Sequence, residues 1–310
     1  TKDDGNPVDP AQGYVRLTFD ANENKADGVI GKHNAGDYAG QQKSYIDVKE
    51  GLDYTNANLQ AAIKALATTG TKVVNGETKT YTQDAENPWT PKVPADATKV
   101  AIATYNAQYK KSAAEQVEEL GGLNPKTIKV WKADTIDWKK GVEAAVENNS
   151  AAVVELLKAA TVTDITVPER NSNEAGKFVG KLKISFDDGS SLEVDKQMLI
   201  VSEHIVTLNP NDPDVPKEEE LPDDKIEVRF LASTGVQAIN TTGKTYVKPG
   251  TAFEDKDFPQ EKDITFDTGY KGPVTWTPKD KTVTTTSPAY LKRQGYFRFT
   301  ATAVKKTTSE

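Results

Sequence analysis

The sequence predicts a β-rich α+β protein made of three small domains in tandem. The first observation is the tetrapeptide Trp-Thr-Pro-Lys, which occurs at Trp89–Lys92 and again at Trp276–Lys279, each time ahead of an alternating run that ends in two lysines. The second is a matching pair of strand-like segments upstream of the two copies, Val15–Phe19 and Ile226–Phe230. A unit repeated in this way is typical of an array, and arrays usually hold, space or bind rather than catalyse.

The composition excludes several classes of function. The 310 residues carry a net charge of −7, which disfavours binding to nucleic acid and to anionic membranes. The chain has no cysteine, so disulfides, thiolate zinc sites and cysteine nucleophiles are excluded. No apolar run approaches the length of about 18 residues that a membrane helix needs, and no signal peptide is visible. We therefore predict no enzymatic activity, no catalytic residue, no cofactor, no nucleic-acid partner and no membrane insertion.

A Pro-rich, acidic stretch separates the second predicted domain from the third. Its four prolines disfavour helix and sheet and its carboxylates repel one another, so we expect a semi-rigid extended spacer. The predicted segments are a linker at 1–13, a first domain at 14–111, a connecting helix at 112–124, a second domain at 125–207, a Pro/acidic linker at 208–224, a third domain at 225–306 and a tail at 307–310.

The first domain begins with a strand at Tyr14–Phe19, in which apolar and polar residues alternate. A helix is predicted from Asn56 to Ala67, with Thr55 as its N-cap and Gly70 just beyond its end. Trp89 is expected to cover one end of the core. The domain also carries an extra segment, residues 22–42, that a minimal repeat would not need.

The second domain combines a hairpin with helical stretches. The hairpin has its arms at Lys181–Phe186 and Ser191–Val194. A continuously apolar strand, Met198–Val201, is expected at the centre of the sheet, and Ser150 is expected to cap a helix. The predicted core is the apolar set of the periodic segments: Ile128, Val130, Trp138, Val154, Leu157, Ile184, Phe186, Val194 and Ile200.

Two shorter elements complete the prediction. The connecting helix starts at a capping box, Ser112–Glu115, and ends at Gly121 and Gly122. The third domain repeats the first but lacks its helix pattern, and a single turn is expected at Thr251–Asp255 instead.

The repeated unit resembles a known group of modules. It opens on a strand that ends in Phe19-Asp20, continues through Val-Lys-x-Gly at Val48–Gly51, presents the Trp-Thr-Pro segment and closes on an alternating strand with two lysines. This pattern resembles the internalin B-repeat-like modules of Gram-positive surface proteins, which have a ubiquitin-like β-grasp fold. The second domain resembles a Rib-type repeat through Asp134–Val142, Ala175–Gly180 and the hairpin turn at Phe186–Ser190. The resemblance implies two β-grasp-like units that flank a Rib-like β domain with a helical insert.

One loop of the first domain carries oxygen-bearing side chains at a spacing that suggests a calcium loop. The metal candidates are Asp20, Asn22, Asn24 and Asp27. The sixth position of this loop is Lys25, where a calcium loop needs glycine, and no glutamate closes the loop at its twelfth position. These departures favour a solvated loop without metal.

The other candidates for chemistry have structural interpretations. Asp187 and Asp188 could hold a cation or act as a catalytic pair, but at a hairpin tip they are ordinary turn residues. His33 lies in a Gly- and Asn-rich stretch and His204 beside the linker, so both are expected to be exposed. The tryptophans are expected to close cores rather than to stack on a carbohydrate: Trp89, Trp131, Trp138 and Trp276.

The predicted function is a non-enzymatic stalk or spacer segment of a bacterial surface protein, because modules like those it resembles project an adhesive region from the cell wall. The resemblance implies an extracellular, wall-attached protein whose anchor and signal peptide lie outside this segment, and a monomer in an elongated array. The alternative is an adhesin module whose enlarged first domain binds a host extracellular protein or glycan through residues 22–42 or an exposed edge strand. The sequence identifies no binding residue.

Overall fold

The chain forms two units, an N-terminal unit that ends at Gln116 and a C-terminal unit that begins at Val117. The computed structural model describes residues 7–22, 28–74 and 76–307. Strands account for 40% of the structure and helices for 14%, which confirms the predicted β-rich α+β class. The division falls in the predicted connecting helix. The predicted linker at 208–224 lies inside the C-terminal unit, so the separation of a second and a third domain stays a prediction.

The N-terminal unit builds two sheets on strands that alternate between buried and exposed residues. One sheet, here called the N-terminal sheet, has the order β3-β1-β7-β6, and the other has the order β2-β4-β5. The extra segment at 22–42 supplies β2 and a 3₁₀ turn at Gly36–Tyr38. The elements are β1 (Tyr14–Asp20), β2 (Ile30–His33), β3 (Lys43–Lys49), α1 (Ala57–Lys64), β4 (Thr68–Val74), β5 (Glu77–Thr82), β6 (Trp89–Thr90) and β7 (Ala103–Ala107).

Helix α1 begins one residue later than the sequence suggested. The side chain of Asn56 accepts hydrogen bonds from the backbone N–H groups of Asn58 and Leu59, both at 3.1 Å, so Asn56 is the N-cap. Thr55 is not the cap, because its hydroxyl donates to Asp53 instead. Gly70 does not end the helix either. It lies in β4, where a Cβ atom would collide with the side chain of Val29.

The capping box at Ser112 is present. The backbone N–H of Glu115 donates to the Ser112 hydroxyl at 3.2 Å, and the backbone N–H of Ser112 donates to the Glu115 carboxylate at 3.4 Å. These bonds start the short helix α2 (Ala113–Glu119), which confirms the predicted helix start.

The core of the N-terminal unit is aromatic. Phe19 meets Trp89 edge-on at a ring distance of 5.0 Å and stacks on Tyr105 at 5.2 Å. Trp89 is 5% exposed, which confirms that it covers the core. The hydroxyls of Tyr54 and Tyr105 form a buried hydrogen bond of 2.6 Å, and burial raises the pKa of Tyr105.

His33 is part of this core, so the expectation of an exposed histidine is wrong. Its ring is 2% exposed, stacks beside Trp89, and places Nε2 at 3.1 Å from the carbonyl oxygen of Phe19. Its Nδ1 atom is buried without a partner among the described residues. In β2 every second residue faces inward, and those residues are Gly31 and His33. The polar composition therefore concealed a core strand. Burial lowers the pKa of His33.

We predict that the N-terminal unit loses stability as the pH falls below about 6.5. The pKa of His33 is lowered in the folded state, so the unfolded chain binds the proton first, and stability falls from that pH down to the folded pKa. Hydrogen exchange of the β2 and β4 amides, corrected for intrinsic rates, should show more opening at about pH 5.5 than at about pH 7.5. His33→Gln should remove this dependence and His204→Gln should leave it. An unchanged dependence in His33→Gln would contradict the prediction.

The C-terminal unit contains two larger sheets. The middle sheet has the order β11-β12-β13-β9, and the C-terminal sheet has the order β14-β17-β15-β21-β19, with β20 paired to β21. Strands β8 with β10 and β16 with β18 form two small sheets. The elements are β8 (Leu123–Pro125), β9 (Ile128–Trp131), β10 (Val142–Ala144), α3 (Ser150–Leu157), β11 (Thr161–Asp164), β12 (Gly176–Ser185), β13 (Ser191–Ser202), β14 (Ile205–Thr207), β15 (Ile226–Ala232), β16 (Val236–Ile239), β17 (Thr245–Val247), β18 (Ile264–Phe266), β19 (Tyr270–Thr277), β20 (Tyr290–Leu291) and β21 (Tyr296–Lys305).

The predicted hairpin forms β12 and β13, and the predicted apolar strand continues β13 at the centre of the middle sheet. Most of the predicted core is buried: Ile128, Leu157, Ile184, Phe186, Val194 and Ile200. Val130 and Trp138 are half-buried. Val154 is 53% exposed, so its assignment to the core is wrong. Helix α3 turns Val153 and Leu157, four residues apart, inward instead. Its N-cap is Asn149 rather than Ser150, and no side chain makes the capping bond.

A buried ion pair fixes the far edge of the middle sheet. Arg170 Nη2 donates to Asp164 Oδ1 at 2.9 Å, and these side chains are 4% and 1% exposed. Arg170 also donates to the carbonyl oxygen of Gln197 at 2.8 Å and lies 4.9 Å from the ring of Trp138. Burial raises the pKa of Asp164, but the hydrogen bonds from Arg170 and Thr166 outweigh it, so the pKa lies below its usual value.

We predict that Arg170→Met lowers the free energy of unfolding of the C-terminal unit by about 3–5 kcal/mol, because it leaves the Asp164 carboxylate buried and unpaired. Lys181→Met is the matched control. Lys181 pairs with Glu193 and Asp195 but is 42% exposed, so its loss should cost less than about 1 kcal/mol. Urea denaturation followed by circular dichroism measures both. Equal losses in the two variants would contradict a structural role for the buried pair.

The N-terminal and C-terminal sheets repeat one arrangement. Their shared strand order is second, first, last and penultimate: β3-β1-β7-β6 and β17-β15-β21-β19. Trp89 in β6 and Trp276 in β19 each pair with the last strand. Each also meets a phenylalanine of the first strand edge-on, Phe19 at 5.0 Å and Phe230 at 5.6 Å, with an interplanar angle of 71° in both. This confirms that the two tryptophans hold equivalent places in a duplicated arrangement.

Candidate functional site

The described residues contain no group of three or more acidic or histidine side chains that could hold a metal ion. In the parts of the chain that the structure describes, no helix has the length and apolar character to cross a bilayer. Asp188 accepts hydrogen bonds from the backbone and hydroxyl of Ser190 at 3.0 and 2.5 Å, so its carboxylate closes the hairpin turn.

The calcium candidates are only partly described. Asp20 Oδ1 accepts hydrogen bonds from the backbone of Asn22 and from Gln42 Nε2, both at 3.0 Å. Asn22 Oδ1 accepts from the backbone N–H of Gly31 at 2.8 Å. These two side chains therefore tie the ends of the loop to the sheets. Asn24 and Asp27 lie outside the described residues.

A half-open cavity of about 460 Å³ lies in the N-terminal unit. Helix α1 forms one wall with Ile63 and Leu66, and the chain on either side of Trp89 forms the other with Pro88 and Pro94. Its volume lies within the range of small-molecule sites. Trp89 shows only 5% of its surface, so little of the indole face is open for stacking.

The most extensive set of polar and apolar contacts joins the middle sheet to the C-terminal sheet. Strand β13 ends at Ser202, and only Glu203 and His204 separate it from β14. β14 pairs antiparallel with β17, so the segment after the middle sheet becomes the edge strand of the C-terminal sheet. Two backbone bonds hold this turn, from Lys248 N–H to the carbonyl of His204 and from Lys132 N–H to the carbonyl of Ser202, both 2.8 Å.

His204 lies in this junction, so its predicted exposure is wrong as well. It is half-buried, and its Nε2 lies 2.8 Å from the carbonyl oxygen of Lys132. The neighbouring ion pair joins Lys248 to Asp134. Both contacts fix the turn against the loop that follows β9.

Residues 208–225, here called the strap, return the chain from the end of β14 to the start of β15. The expectation of an extended spacer is wrong for this segment, because it contains a 3₁₀ turn at Glu218–Glu220 and buries Leu221 completely. Lys177 donates to Glu220 at 2.7 Å, and this bond lowers the pKa of Glu220. Trp131 Nε1 donates to Asp224 Oδ1 at 2.8 Å.

An apolar cluster fills the space beneath the end of the strap. Its buried members are Trp131, Val206, Leu221 and Tyr246, with Leu208 packed against them. They come from β9, β14, the strap and β17, so the cluster exists only when these elements are assembled. Burial raises the pKa of the Tyr246 hydroxyl, and Glu218 raises it further through a hydrogen bond.

Sequence reasoning missed this junction. The prolines and carboxylates of the strap are typical of a linker, and the apolar signal within it is the single residue Leu221. Trp131 gave a second signal, since a buried indole N–H needs an acceptor. Its acceptor, Asp224, is 93 positions away, and no local pattern connects the two.

We predict that Leu221→Ala detaches the strap. The loss of a fully buried leucine should cost about 2–5 kcal/mol, and the freed backbone should be cleaved faster by protease between residues 208 and 225. Glu219→Ala is the matched control in the same turn, because Glu219 is exposed and its loss should cost less than about 0.5 kcal/mol. Limited proteolysis with mass spectrometry locates the first cut. Equal cleavage rates in the two variants would contradict the packing of the strap.

Comparison with known proteins gave one solved structure with partial coverage. It is a Rib structure from Streptococcus pyogenes, and the match covers 26% of this chain and 91% of that chain, with 15% sequence identity and a TM-score of 0.20. No protein-family model and no curated protein sequence matches the chain.

Proposed function

We propose that the chain is a non-enzymatic spacer segment of a Gram-positive surface protein. The observation that carries the proposal is the pairing of the strands at which the chain enters and leaves each sheet. β1 is parallel to β7, β9 is parallel to β13, and β15 is parallel to β21. Two parallel strands start at one end of the sheet and finish at the other, so the chain enters each sheet at one end and leaves it at the opposite end.

This geometry makes every sheet a length increment. The ten-residue strand β21 spans about 33 Å at the usual rise per residue. If the first and last strands ran antiparallel, the two ends of the chain would meet at one end of the sheet, and the module would add almost no reach. A spacer needs the first arrangement, whereas a catalytic domain has no reason to prefer it.

The family resemblance in the sequence supports a location on the cell surface. The shared strand order, with the first and last strands parallel at the centre, is compatible with the β-grasp fold that this resemblance implies. The middle sheet is compatible with the Rib-like domain between them. Attachment to a cell wall and projection of an adhesive region are parts of the proposal that follow from the resemblance.

Tandem copies of the chain test the proposal. One or two copies are placed between a supported bilayer and a fluorophore, and the height of the fluorophore is measured by distance-dependent quenching. A folded spacer should raise the fluorophore about 2-fold when the copy number doubles, whereas a flexible Gly/Ser linker of matched length should raise it about 1.4-fold, as the square root of its length. A height that follows the flexible control, or that does not change, would contradict the proposal.

The second candidate is a binding module in the N-terminal unit, and the cavity beside α1 favours it. Helix α1 has no counterpart in the C-terminal sheet, so this wall is an addition to the shared fold. The ligand would be a glycan or a segment of a host extracellular protein. A glycan array probed with the full chain and with Ile63→Arg tests it, because the variant places a charge in the cavity wall. Binding that is lost in the variant would support this candidate.

A further inference from the structure

We propose that the chain bears tension along its length, and that β14 with the strap is the first element to yield and releases a defined length of chain before any sheet unfolds. This proposal deepens the proposed function and rests on it, because a spacer held at both ends carries load. It follows from strand direction, register and packing within the C-terminal unit.

The direction of the strands decides how the load acts. Tension pulls the start of the first strand and the end of the last strand apart along the strand axis. In a parallel pair these points lie at opposite ends of the sheet, so the hydrogen bonds between the strands are loaded together in shear. In an antiparallel terminal pair they would be loaded one after another. All three sheets have the shear arrangement.

In the C-terminal sheet the load enters through β14 rather than through β15. β14 is antiparallel to β17, and β17 is antiparallel to β15, so β14 runs in the same direction as β15 and β21. Force from the middle sheet reaches β14 at Ile205 and crosses the sheet from β14 to β17, β15 and β21. The strap lies outside this path and stays slack while β14 holds.

The pairing of β14 is the shortest on this path that has no second connection behind it. It joins three residue pairs, Ile205–Thr207 with Thr245–Val247, whereas β15 and β21 share six pairs from Glu227 to Ala232. β17 is also short, but β14 holds it from the other side. If β14 slips, the load passes to the strap and then to the longer parallel pair.

The strap is held at its two ends and packed loosely between them. Leu208 donates its N–H to the carbonyl of Lys244 at 2.8 Å, and Leu221 closes the apolar cluster at the other end. Between these points the Pro-rich part borders a cavity of about 690 Å³. A segment fixed at few points separates as one piece, so its release should be a single step.

The length of this step is fixed by the sequence. Release frees residues 203–225, which can span at most about 80 Å when extended. This is much less than the gain from the unfolding of a whole sheet. The release also uncovers the edge of β17, where Thr245, Tyr246 and Val247 are buried in the folded chain.

Single-molecule pulling on the full chain, with handles attached at its ends through peptide tags, tests the proposal. Thr207→Cys with Thr245→Cys places a cysteine pair across β14 and β17, where the two hydroxyls lie 3.0 Å apart. The chain has no other cysteine, so the disulfide that forms is unique. In the wild type and in the reduced variant we expect a first step of at most about 80 Å before the larger steps. In the oxidised variant this step should disappear.

A second arm tests the shear geometry. Handles on Asp223→Cys and Gln294→Cys, at exposed positions just before β15 and β21, pull the starts of the two strands apart and unzip them. The unfolding force should be several-fold lower than with handles at the chain ends. Equal forces in the two geometries would overturn the shear argument, and a small step that persists in the oxidised variant would overturn the role of β14. Either failure would leave the tandem-copy test of the spacer function unaffected.

Discussion

Parallel pairing between the first and the last strand is the constraint on which the rest of each sheet depends. A hairpin cannot connect parallel neighbours, so the chain between them must cross the sheet. In the N-terminal unit this crossing contains β3, α1 and the second sheet, and in the C-terminal sheet it contains β17, two 3₁₀ turns and β19. The crossing can therefore vary in length and content while the points at which the chain enters and leaves stay at opposite ends.

The two repeats differ at the edge strand in a way that matches what lies beside it. Register pairing places Asp47 opposite Arg16, and Tyr246 opposite Glu227, so Asp47 and Tyr246 hold equivalent positions. Asp47 is exposed and bonds to Arg16 at 2.7 Å, whereas Tyr246 is buried beneath the strap. Charged side chains protect a free edge strand from pairing with other chains. The edge of β17 carries no such charge, because β14 already covers it.

The elements that sequence reasoning placed correctly are those specified by local pattern, and the errors arise where distant contacts decide. Alternation and a turn at Asp188 were sufficient for the hairpin, and duplication was sufficient for Trp89. The burial of His33 depends on its pairing with β4, and a polar strand gives no hydrophobic period to reveal that pairing. The fold of the strap depends on Trp131, which lies far away in the sequence. Composition is a sound guide to backbone preference, but it does not show what a segment packs against.

A chain without disulfides needs other sources of rigidity, and this one uses aromatic packing and buried charge. In the C-terminal sheet five rings lie within 6.2 Å of a neighbour: Phe230, Phe253, Phe258, Trp276 and Phe299. In the middle sheet Arg170 links three segments through one guanidinium. Aromatic packing resists separation of the sheet faces, and the ion pair resists sliding of one strand past another. Neither prevents β14 from slipping along β17, because those residues bond mainly through their backbones, and this is why the junction is the place where the assembly yields.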